Sequence, residues 1–196
     1  ISIRVDVGKH LHVFIISGYG DLPRRVVDVR IEDWNGLRSM FRMLNDRQIT
    51  WTAVMDAAPE KAMAESVARE FVNNLWLAYY HDPRSMNTLA AWSPADPYSG
   101  KAYNSVRIDR TMAIDTAHNM ISKGRMTFPA NARHLVNPGK DHGDMYAQLI
   151  AQTAVTIPDS VGNPRRVYVH PDGKPDHFDH ALTYATVAST LQPGLS

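Results

Sequence analysis

Cysteine is absent from all 196 residues, so no disulfide framework holds this chain, a composition that suits a reducing cytosol without excluding secretion. Long apolar runs are absent too. None approaches the length that spans a bilayer, and the N-terminus carries no signal-like segment; the expectation is a soluble chain with no membrane partner. An excess of charge is also missing: 21 Lys and Arg stand against 20 Asp and Glu, a net +1, which gives no global pull toward nucleic acid. Any polyanion must be met by a local patch. Internal repeats, low-complexity segments, linkers and a G-x-x-x-x-G-K-[ST] phosphate loop are lacking as well. The length suits one domain, 1–196, able to bury its core without staples. The chain opens inside a strand pattern without an initiator methionine, and is expected to be part of something longer.

What is present begins with Ile1 to Ile16. From Ser2 to Val7 the side chains alternate, with Ile3, Val5 and Val7 on one face and Ser2, Arg4 and Asp6 on the other, as a half-buried strand requires. Gly8 permits a sharp turn, and Leu11 to Ile16 reads as a buried returning strand. The result is a hairpin with an acid at its tip. Arg25 to Ile31 alternates again, with Arg25, Val27, Val29 and Ile31 on one face, completing an antiparallel meander. Asp33 is placed to cap a helix whose Trp34, Leu37, Met40, Phe41 and Leu44 recur at helical spacing. Ile49 to Met55 reads as a strand ending in Asp56. Pro59 then suits the first turn of a helix with the stripe Met63, Val67, Phe71 and Leu75, and Leu75 to Tyr80 reads as a fifth strand.

His81 to Ala102 lacks periodicity and carries Pro83, Pro94, Pro97 and Gly100, as a long loop does. Tyr103 to Asp109 reads as a strand, Thr111 to Ser122 as a helix, Phe128 to Lys140 as irregular, and Asp144 to Ala154 as a helix through Met145, Leu149 and Ile150. A late hairpin, Ala154 to Pro158 and Arg165 to His170, turns at Gly162-Asn163-Pro164. A last helix runs from Asp176 to about Thr190.

A right-handed crossover after the meander sets the fourth strand parallel to the first and beside it, which brings Asp6 next to Asp56. If the last helix packs across that sheet, its N-terminus adds Asp176 and Asp179, three residues apart on the helix. Carboxylates so gathered repel and raise one another's pKa unless cations separate them. Hard oxygen ligands suit Mg2+ or Mn2+, and a pair of such ions is the usual apparatus of phosphodiester hydrolysis. Lys9, Arg110, Lys123, Arg125, Arg165 and Arg166 come from segments expected to border the acids, as phosphate contacts or equally as a solvated face. Asp28 and Asp109 read as structural.

The motifs Val5-Asp6-Val7-Gly8, Thr52-Ala53-Val54-Met55-Asp56, Arg107-Ile108-Asp109-Arg110, Lys123-Gly124-Arg125-Met126-Thr127-Phe128-Pro129 and Asp176-His177-Phe178-Asp179-His180-Ala181-Leu182-Thr183-Tyr184-Ala185 together resemble the nuclease domain of tailed-phage terminase large subunits. That resemblance covers nearly the whole chain, and the last motif is its most specific part. It implies a ribonuclease H-like α/β fold: a mixed sheet with a three-strand antiparallel meander plus parallel strands, flanked by helices, with a late β-hairpin. It further implies Mg2+- or Mn2+-dependent cleavage of double-stranded DNA during genome packaging, with Asp6, Asp56 and Asp176 as catalytic metal ligands and two ions bound. The implied setting is the host cytoplasm, with the terminase small subunit and portal protein as partners and the ATPase in a preceding part of the chain.

The last helix departs from the family pattern: His180 stands where related enzymes have a second Asp, and Asp179 comes one residue early. The fourth ligand is therefore open among Asp179, His177 and His180, and Asp176 is open between ligand and N-cap. Ala181, Leu182, Ala185 and Ala188 mark the packed side of that helix, with Asp179 and Thr183 away from it. Other readings are a junction resolvase or transposase-type nuclease of the same fold, and a non-catalytic docking domain of the packaging motor. An actin-like kinase half would need a second glycine-rich loop that the sequence does not contain.

Overall fold

In a computed structural model, residues 1–18, 23–81, 88–132, 145–170, 175–188 and 191 are described. Strand β1 (Ser2–Val7) lies inside an eight-stranded sheet. It pairs antiparallel with β2 (Leu11–Ser17) and parallel with β4 (Thr52–Asp56). Outward beyond β2 come β3 (Arg24–Glu32) and the two-residue β8 (Met126–Thr127). Beyond β4 come β5 (Leu75–His81), β7 (Asn104–Asp109) and, antiparallel at the edge, β6 (Ala90–Ser93). The meander and the parallel crossover are as the sequence implies. β6 is not: part of the expected loop forms an edge strand, with Trp92 set edge-on against Trp76. Residues 82–87 of that loop lie outside the described set.

Helices cover both faces. On one, α1 (Trp34–Asp46) and α2 (Lys61–Glu70) bury Leu37, Phe41, Leu44, Ala64 and Val67 against Ile3, Val5, Val13 and Ile15. Asp33 caps α1 by accepting the Gly36 N–H at 2.7 Å. On the other face, α3 (Arg110–Ser122), the short α4 (Met145–Leu149) and α5 (His177–Ala188) pack on Phe14, Ile16, Val26 and Val29. The polar face of β1 is covered as well. Ser2, Arg4 and Asp6 are buried, and Arg4 donates to the Ala185 carbonyl of α5. β1 is thus a fully buried strand rather than a half-buried one.

The remaining departures have local causes. A register shift opposite Ile15 and Ile16 skips Val27, so Val26 and Val29 face the core and Val27 is exposed; one extra residue reverses the alternation. Residues 49–51 are not strand. Gln48, at φ 54°, carries the chain out of α1, and Trp51 stacks on Phe41 with ring centroids 4.5 Å apart. In α2, Ala64 and Ala68 are inward with Val67 and Met63 is exposed, while Leu75 belongs to β5. α4 ends at Leu149 and leaves Ile150 exposed, and its expected start, Asp144, is outside the described residues. The last helix is described to Ala188. Its Asp179 and Thr183 are buried because α3 closes over that side, so α5 is enclosed nearly all round.

The late hairpin, β9 (Thr153–Pro158) with β10 (Pro164–Val169), forms its own two-stranded sheet. It is fastened to α3: Arg110 donates to the Tyr168 carbonyl, and the Tyr168 hydroxyl to Asp115.

Candidate active site

The register Val5↔Met55 sets Asp6 and Asp56 side by side at the ends of neighbouring parallel strands. Each is held by a side chain from α5. His177 Nδ1 donates to Asp6 Oδ2 at 2.8 Å, and the Tyr184 hydroxyl donates to Asp56 Oδ2 at 2.8 Å. Asp176 begins the same helix. Its carbonyl accepts the N–H groups of Asp179 and His180, while one carboxylate oxygen lies 3.1 Å from His180 Nε2. Its backbone therefore takes the N-cap place while its carboxylate turns to His180 and His170.

A chain of contacts joins these acids. His180 Nδ1 meets the Tyr80 hydroxyl at 2.9 Å, and the Tyr80 ring stacks on Tyr184. Gln152, at the foot of the late hairpin, brings its amide nitrogen to 3.2 Å from His180 Nε2 and accepts from Arg110. His170, just past β10, lies 3.9 Å from Asp176.

The electrostatics follow from burial and like charge. Burial raises the Asp56 carboxyl above its ordinary value, and Asp6 adds to the rise, against the Ala58 N–H and the Tyr184 hydroxyl. Burial also works against the charge on Asp176, but His180, His170 and His177 outweigh it and hold the carboxyl low. The hydrogen bond to Asp6 raises His177 despite burial. His180 is raised because Asp176 and Asp6 overcome its burial.

Asp179 does not face these groups. It is fully buried and meets His118 Nε2 of α3 at 2.9 Å, which raises that imidazole. Among the six cations, Lys9 is exposed in the β1–β2 turn, next to Gly8, which touches His177. Arg110 is spent on the hairpin. Arg166 pairs with Asp115 at 3.0 Å and lies over the Tyr168 ring, and Arg165 precedes it on β10. Lys123 and Arg125 lie at the far end of the sheet, where β8 joins the start of β3. Asp109 caps α3 and Asp28 pairs with Arg30, both structural as expected.

Sequence reasoning passed over His12, Tyr80, Gln152, His118 and Tyr184. His12 had a signal. With three residues in the turn and Val7 opposite Leu11, Asp6 must stand opposite His12, and that ring stacks on His177 with centroids 4.4 Å apart. One potential ligand atom from each of Asp6, His12 and His177 lies within 4.8 Å of the others.

No known protein-family profile matches the chain, and no curated protein matches it in sequence. Solved structures do match. The crystal structure of the large terminase nuclease from thermophilic phage G20c is 14% identical, with a TM-score of 0.50 over 95% of this chain and 80% of that one. A second structure of that nuclease, with bound magnesium, gives 14% identity and a TM-score of 0.40 over 92% and 88%. The chain has the fold of a large terminase nuclease.

Proposed function

We propose that this chain is a metal-dependent endonuclease for double-stranded DNA, the nuclease domain of a phage terminase large subunit that cuts DNA during genome packaging. The observation that carries the proposal is Asp6 beside Asp56 at the ends of neighbouring parallel strands, with Asp56 raised by burial and by its neighbour Asp6, and with Asp176 linked to them through His180, whose imidazole both Asp176 and Asp6 raise. The terminase-nuclease fold supports it. The donor set is carboxylate oxygen in a partly buried place, which fits Mg2+ or Mn2+. Asp6, Asp56 and Asp176 would hold two such ions, which when bound supply an activated water and charge for the leaving 3′-oxygen. Asp179 is left out of this set, because it is fully buried and its Oδ1 is paired with His118 of α3.

The protein's own share is positioning. Tyr184 fixes the rotamer of Asp56, His177 that of Asp6, and His180 that of Asp176, so the oxygens do not reorganise as charge develops on phosphate. Lys9, Arg165 and Arg166 would meet the DNA backbone beside the acids and along the hairpin.

Cleavage of supercoiled plasmid with Mg2+ or Mn2+ tests the proposal. The expected result is nicking and linearisation that Asp6→Asn and Asp176→Asn each abolish. An inactive parent chain that also binds no Mn2+ by calorimetry would overturn it in favour of a docking domain.

A further inference from the structure

The carboxylate set occupies one side of Asp6, and on the other side stand two imidazoles. His12 is its direct partner across the hairpin, and His177 reaches it from the start of α5. We propose that Asp6, His12 and His177 form a nitrogen-bearing cation position that differs in metal preference from the all-oxygen position of Asp6, Asp56 and Asp176. It takes a borderline first-row ion such as Mn2+, Co2+ or Zn2+ in preference to Mg2+. The inference shares Asp6 with the proposed catalytic site, and rests on that proposal only for the second position.

Three observations support it. The donor atoms lie within 4.8 Å of one another, a little beyond the about 4.4 Å that opposite ligands on one ion span at bonds of about 2.2 Å, so a small turn of one ring brings them onto a single ion. Two of the three are inside the protein, Asp6 being 4% and His12 2% exposed, with the Phe178 ring edge-on to His12. The surroundings also leave room for the His177 ring: a Cβ on Gly8 would stand 3.0 Å from its Cε1 and 3.4 Å from its Nδ1. Gly8 is not among the glycines at positive φ, so what its missing side chain supplies here is space rather than backbone freedom.

Imidazole suits Zn2+ and its neighbours, whereas Mg2+ prefers oxygen and water in a near-ideal octahedron. The two rings now lie parallel, 10° apart, and imidazole lone pairs lie in the ring plane, so joint ligation needs one ring to turn out of the stack. His177 is the one that turns, its side chain being 38% exposed.

The test uses the chain stripped of metal by a chelator, with Mn2+, Zn2+ and Mg2+ as probes and no DNA. Pulsed electron paramagnetic resonance of bound Mn2+ is expected to show 14N coupling from two imidazoles, reduced to one in His177→Gln and in His12→Gln. Both changes are expected to weaken Zn2+ binding about tenfold or more, and His12→Gln to leave Mg2+ affinity unchanged. Asp176→Asn is expected to keep the nitrogen signal. Absence of 14N coupling in the parent, or a folded His12→Gln that binds Zn2+ as well as the parent, overturns the proposal. If His12→Gln does not fold, His177→Gln decides, since its ring is partly in solvent. A chain that shows nitrogen coupling yet cleaves no DNA would sink the nuclease proposal and leave this one standing, and cleavage without nitrogen coupling would do the reverse.

Discussion

Replacing Tyr184 by Phe removes one oxygen and leaves the ring. Tyr184 is fully buried and stacks on Tyr80 with centroids 5.4 Å apart, so the change opens almost no cavity. What it removes is the hydroxyl that donates to Asp56 Oδ2 at 2.8 Å. A hydrogen bond to a charged partner is worth about 1.5 to 3 kcal/mol and favours the ionised carboxylate. Asp56 already lies above its ordinary value of 3.8 through burial. Its ionisation therefore costs folding free energy once the pH exceeds the folded pKa, and nothing below the unfolded one. Removing the hydroxyl raises the folded pKa further. Tyr184→Phe should then cost about 1.5 to 3 kcal/mol at about pH 8 and progressively less as the pH falls toward the ordinary carboxyl value. Urea unfolding of parent and variant in chelator, at about pH 8 and about pH 4, measures both penalties. Equal penalties at the two pH values, or a loss below about 0.5 kcal/mol at the higher one, would refute the account of Asp56.

Gly8→Ala should push the His177 ring off Asp6, so that the imidazole pKa, raised in the parent, falls back toward 6.5; NMR titration reads it, and an unmoved pKa contradicts the packing argument. His118 is raised by Asp179, so the stability it adds is complete below about pH 6.5 and is lost as the pH rises through its folded value. His118→Gln keeps a donor but does not titrate, and its stability curve should lack that decline; parallel curves for parent and variant would count against the pair. Phe41→Ala opens a hole among Trp51, Phe71 and Leu37 and should cost about 3 to 5 kcal/mol; a loss under about 1 kcal/mol in chemical denaturation would mean that this cluster carries little of the core.

The meander, the crossover to β4 and the cap of α1 were legible because short-range signals carry them: alternation, a turn glycine, an aspartate before an apolar stripe. Asp6 beside Asp56 followed from topology alone. The bulge at Val27 was not legible, since one unpaired residue leaves the sequence still alternating. Nor was the burial of Asp179 and Thr183. Helical periodicity assumes a solvent side, and α5 has almost none once α3 lies over it. The contact between Asp179 and His118 joins residues 61 apart, a separation at which no local pattern speaks. Tyr80 escaped notice for the same reason.

Asp176, His180 and Tyr184 stand four residues apart at the start of and along α5; Asp176 turns to His180 and His170, while His180 and Tyr184 reach β5 and β4. At 1.5 Å per residue they cover about 12 Å of helix axis. Their separation is a count of peptide units and does not depend on which residues stand between them. One residue inserted between His180 and Tyr184 would turn Tyr184 by about 100° into the side occupied by Phe178 and Leu182, and Asp56 would lose its donor with every original side chain still present. This segment should therefore accept exchanges of residue type more readily than any change in length, and a library of single deletions across 177–184 would fail where a library of conservative substitutions survives.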